Sequence, residues 1–108
     1  MKNTLKKGDK VWFGKERKSF IVRESKGNFA IVTQNRGKVY TIIDFKRNVN
    51  GVDDKVIDPY YYSRDEDCRL AIDDLVSGKL NVSRIEGQYE PLNITKILHI
   101  IDEDYLGI

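Results

Sequence analysis

The chain has 108 residues, enough for one domain with a single core and no cross-links to hold it. Its 40% apolar and 33% charged residues exclude a disordered chain, and no apolar run approaches the roughly 20 residues of a membrane-spanning helix. The net charge of +2 hides a division: residues 1–48 carry 13 Lys and Arg against 4 Asp and Glu, or +9, and residues 49–108 carry 6 against 13, or −7.

Met1 to Lys7 is basic, but no apolar segment follows, so no signal peptide is expected. A polar turn at Lys7-Gly8-Asp9 leads into Val11-Trp12-Phe13, and Phe20-Ile21-Val22 makes a second apolar run. Phe29, Ile31 and Thr33 alternate with Ala30, Val32 and Gln34, the pattern of a strand covered on both faces. Val39-Tyr40-Thr41-Ile42-Ile43 is entirely β-branched or aromatic and is the clearest strand. The separators Lys26-Gly27-Asn28 and Asn35-Arg36-Gly37 suit tight hairpins. Residues 10–44 therefore read as a four-stranded antiparallel meander, and an SH3-like curled barrel is one way to close it.

Residues 46–62 are the least regular stretch, with Val56 and Ile57 expected to pin it to the core. A helix follows. Ser63 with Glu66 makes a capping box, and Asp65, Glu66 and Asp67 put negative charge where the helix dipole favours it. Cys68, Ala71, Ile72, Leu75 and Val76 form one apolar stripe, and Gly78 supplies a left-handed stop. Leu80 to Ile85 alternates like another strand, and Pro91 to Ile94 is placed to pair back. The tail fits either a helix, through Ile94, Ile97, Leu98 and Ile101, or a strand, through Ile97 to Ile101. The expected fold class is α+β: an antiparallel sheet with one amphipathic helix packed on it. Residues 1–95 form the domain, and 96–108 are a C-terminal extension that docks or oligomerises through Ile97, Leu98, Ile100 and Ile101.

Few residues are equipped for catalysis. Cys68 is the only cysteine, so no intrachain disulfide forms, which suits a reducing cytoplasm, and its place on the apolar stripe marks it as packing. His99 is the only histidine; one His and one Cys do not assemble a zinc site. No Gly-rich phosphate loop is present. No catalytic residue, metal or cofactor is expected.

Two charged constellations remain. Lys15, Arg17 and Lys18 in the first hairpin, with Arg36 and Lys38 in the third, are suited to phosphate contacts, and nearby aromatics to base stacking. The plainer reading is a solvated basic surface with the aromatics in the core. Asp53, Asp54, Tyr60, Tyr61, Asp65, Asp73 and Asp74 make an acidic, tyrosine-bearing face that suits a protein partner or mimics phosphate. Its plainer reading is a solvated helix face, with Tyr62 stapling the helix start.

Several segments in order resemble a small family of uncharacterised proteins encoded by phages and prophages of Gram-positive bacteria. They are Lys7-Gly8-Asp9-Lys10-Val11-Trp12-Phe13, Phe29-Ala30-Ile31-Val32-Thr33, Val39-Tyr40-Thr41-Ile42-Ile43-Asp44, Gly51-Val52-Asp53, Asp67-Cys68, Leu75-Val76-Ser77-Gly78, Val82-Ser83-Arg84 and Pro91-Leu92-Asn93-Ile94. The resemblance spans residues 6–94. The connection from Thr33 to Val39 is shorter than in that family, and the tail beyond Ile94 is an extension. The resemblance implies a phage setting in the host cytoplasm and supplies no catalytic residues. The function expected from it is a non-enzymatic accessory protein that binds and inhibits or modulates a host protein, as in anti-CRISPR-like or other counter-defence. The alternatives are nucleic-acid binding by the basic hairpins, and an oligomer that sequesters a nucleotide, with the tail making a homodimer.

Overall fold

The computed structural model describes residues 2–58, 64–80 and 88–100. These form seven strands and one helix: β1 (Lys10–Phe13), β2 (Phe20–Lys26), β3 (Phe29–Gln34), β4 (Val39–Asp44), β5 (Val49–Gly51), α1 (Asp65–Ser77), β6 (Tyr89–Pro91) and β7 (Ile94–Leu98). The strands make one antiparallel sheet in the order β6-β5-β4-β3-β2-β1-β7. The fold class is α+β, with the sheet curled in an SH3-like half-barrel.

The curl follows from connectivity. β6 and β7 lie at opposite ends of the strand order, yet only Leu92 and Asn93 separate them in the chain. A two-residue connection cannot cross a flat sheet of seven strands spaced about 4.8 Å apart. The sheet must roll until its two edges meet. Leu92 and Asn93 mark the seam: the Leu92 N–H donates to the Asn48 carbonyl, and the Gly14 N–H donates to the Asn93 carbonyl.

Rolling gives the sheet two buried faces, which is why β3 and β4 are buried at most positions on both sides. Ala30, Val32 and Ile43 point into the curl with Leu5, Val11, Phe20, Val22 and Phe45. Ile31, Tyr40 and Ile42 point the other way, against Cys68, Ala71, Ile72 and Leu75 of α1. The alternation within each strand assigns each side chain to one core. Burying Ile72 and Leu75 contributes about 2 kcal/mol each. Val56 and Ile57 join the helix-side core, as the sequence suggests.

Four details differ from the sequence reading. The N-cap residue is Arg64, extended at φ −86° and ψ 133°, with no side-chain cap bond, so the helix begins one residue later than a Ser63 cap implies. Ser63 itself and the Tyr62 staple lie outside the described residues, as does most of the Leu80–Ile85 strand. Val76 leaves the apolar stripe and is exposed, lying beside the hairpin turn at Gly27. Residues 49–51, read as loop, form β5. Finally, the tail is a strand through Leu98, with Lys10 opposite Leu98 and Val11 opposite Ile97. The boundary at residue 95 thus falls inside β7, and Lys96 to Leu98 belong to the sheet.

Candidate functional site

The antiparallel meander places the β1–β2 and β3–β4 connections at the same end of the sheet. In the first connection the Trp12 indole N–H donates to the Arg17 carbonyl at 3.2 Å. In the second, Asn35, Arg36 and Gly37 all take left-handed backbone angles, with φ of 56°, 57° and 83°. Gly37 accepts this freely and Asn35 with little strain, whereas Arg36 holds it at a cost of about 1 kcal/mol. A hydrogen bond from Gln34 Nε2 to the Lys18 carbonyl, 3.2 Å, ties the two connections together. Lys15, Arg17, Lys18, Arg36 and Lys38 are all exposed at this end. Lys15, Arg17, Lys18 and Arg36 make no ion pair with the described residues.

The other cations of the basic half behave differently. Arg23, on the helix-side face of β2, gives two hydrogen bonds to Asp65 Oδ1, from Nε at 3.1 Å and Nη2 at 2.6 Å. Lys7 Nζ stands 3.9 Å from the same carboxylate, and Lys26 Nζ is 2.9 Å from Asp73. The Arg23 guanidinium, helped by Lys7, holds the Asp65 carboxyl below its usual range. The two charge halves therefore pair internally along α1, and Lys15, Arg17, Lys18 and Arg36 stay outside that pairing.

The acidic face assembles less completely than its sequence suggests. Asp65 and Asp73 are engaged by cations. Asp53 is not on the surface at all: it is 1% exposed, and its carboxylate accepts from the Tyr89 hydroxyl at 2.9 Å and the Lys55 N–H at 3.0 Å. Its own N–H donates to the Tyr40 hydroxyl. Burial pushes both tyrosines above their ordinary range, and the Asp53 carboxylate adds to it. Asp53 thus fastens the loop after β5 to β4 and β6. Asp54 is exposed and Asp74 half-buried, while Tyr60 and Tyr61 lie outside the described residues.

The tail residues divide by strand parity. Ile97 packs into the curl; Leu98 is exposed on the opposite face, across Lys10 from Ile21, and Ile100, beyond the strand, is exposed beside Gly8. Ile101 lies outside the described residues. Sequence reasoning missed Asp9, read as a turn residue. It is 0% exposed and accepts from the Lys6 N–H at 2.8 Å and the Ile100 N–H at 2.8 Å, with His99 Nδ1 at 2.7 Å. Its partners lie up to 91 residues away, so no local pattern reveals them.

Cys68 is fully buried against the sheet, and burial pushes its thiol up to about 11. A thiol reagent at pH 8 is expected to label the denatured protein at least about 100-fold faster than the native one, since it needs both thiolate and access. Equal rates would place Cys68 in an open environment. No described helix is long and apolar enough to cross a membrane. Comparison with protein-family models, curated proteins and solved structures gives no match.

Proposed function

We propose that the protein is a non-enzymatic binding module that takes nucleic acid on the cationic loop end. The observation that carries this reading is the Gln34–Lys18 bond, which unites two basic connections, five cations in all, while the helix carboxylates engage Arg23, Lys7 and Lys26 elsewhere. Lys15, Arg17, Lys18 and Arg36 make no ion pair with the described residues, and such a cluster attracts a polyanion and gains from the counterions it releases. The acidic face supports a protein partner less well, because Asp53 is buried and Asp65 and Asp73 are paired. In the phage setting implied by the sequence resemblance, counter-defence then means masking nucleic acid from a host enzyme rather than imitating it.

The test is the salt dependence of binding to a labelled oligonucleotide, followed by anisotropy. Three to five phosphate contacts predict a slope of log K against log salt of about −2 to −4. Salt-independent binding, or no binding at about 50 mM salt, sinks the reading.

A further inference from the structure

Beside the cationic end, the seam of the curl opens into a cleft of about 610 Å³. That is a volume in the range of small-ligand sites. Its walls come from three places. Phe13, Gly14, Lys15 and Glu16 belong to β1 and the first basic connection; Asn50 belongs to β5; Glu90 to Asn93 form the corner between β6 and β7. Asn50 is the unusual member. It stands opposite Ile43 and Glu90 in the ladder, so its side chain points to the inside of the curl. It is 8% exposed, and its amide makes no hydrogen bond with the described residues. Its amide therefore lines the cleft with its donors and acceptor open to a ligand.

Resting on the nucleic-acid reading, we infer that this cleft takes a single unstacked nucleobase bearing an exocyclic amine, with its phosphate toward Lys15. Phe13, Pro91 and Leu92 provide the apolar surface against which a base lies. The Asn50 amide both donates and accepts, as a base edge requires. The Glu90 carboxylate, opposite Asn50, and Glu16 only accept, so they favour the amines of adenine, cytosine or guanine over thymine and uracil, which lack one. Lys15 belongs to both the cleft and the basic end, which joins base and backbone recognition on one strand. The carboxylates would repel a phosphate placed in the cleft, which orients the nucleotide base-inward. A single-stranded chain meets these demands; a duplex keeps its bases stacked.

Anisotropy with 12-residue deoxyadenosine, deoxycytidine and thymidine strands tests this, alongside AMP and UMP as free nucleotides. The deoxyadenosine and deoxycytidine strands are expected to bind about tenfold more tightly than the thymidine strand. Asn50→Leu and Glu90→Gln should each erase that preference while leaving the salt slope unchanged. Glu90 is exposed, so its variant reports even if Asn50→Leu does not fold. Equal binding of the three strands, or a preference that survives both substitutions, overturns the cleft assignment and leaves the cationic end standing. If no strand binds at low salt, the nucleic-acid reading fails. AMP binding without UMP binding then upholds the cleft as a nucleotide site, and binding of neither overturns it.

Discussion

Replacing Asp9 by alanine lowers the free energy of unfolding by about 3 kcal/mol, read as a shift in the urea midpoint at pH 7. The carboxylate joins the segment before β1 to the end of β7, through Lys6 on one side and His99 and Ile100 on the other. Alanine leaves two main-chain N–H groups without their acceptor and opens a void beneath Ile100. Asparagine keeps the shape but presents an N–H toward donors, so it recovers only part of the loss. His99→Ala removes one half-exposed partner and costs about 1 kcal/mol.

The pH dependence has a definite sign. Burial alone pushes the Asp9 carboxyl up, but the Ile100 and Lys6 N–H groups together with His99 outweigh it and hold it below the ordinary value. A group whose pKa is depressed by folding contributes stability above its unfolded value, about 3.9, and loses it as the pH falls through the folded value. The difference between the native chain and Asp9→Ala is therefore full at pH 7, begins to shrink near pH 4, and is smallest in strong acid. A midpoint for Asp9→Ala equal to that of the native chain at pH 7 contradicts the assigned role.

Reversing Lys15, Arg17 and Lys18 to glutamate weakens oligonucleotide binding by at least about 100-fold at low salt. It also makes the salt slope less steep by about 2. Stability changes little, within about 0.5 kcal/mol, because all three side chains are exposed and make no ion pair with the described residues. Lys7→Glu with Lys26→Glu is the informative contrast. The same kind of charge change is made where Asp65 and Asp73 already engage the cations, so affinity falls far less. If both sets weaken binding equally, net charge governs association rather than the loop end.

The β3–β4 hairpin was legible because its residues are β-branched and its turn carries Gly37; such a pattern has one backbone solution. β5 was not, since Val49-Asn50-Gly51 is short and rich in turn formers, and it becomes a strand only because β4 and β6 flank it. Gly51 explains its composition: a side chain there would collide with the Gln88 carbonyl oxygen. The five basic loop residues were legible one by one, but their meeting depends on the meander folding back twice. Asp53 and Asp9 were misread for the same reason. A carboxylate looks solvent-facing until tyrosines or main-chain N–H groups from elsewhere in the chain enclose it.

The seam also governs how the protein reaches its fold. β2, β3 and β4 pair through short hairpins, so that meander forms from near neighbours while the chain is still being made. β1 gains its second partner only when residues 94–98 arrive, more than 80 positions later. Contacts that distant slow folding toward the millisecond-to-second range. During synthesis the nascent chain carries β1 with one open edge and a half-lined interior until β7 has left the ribosome. The interval between those two events is when this protein is most exposed to mispairing with another chain.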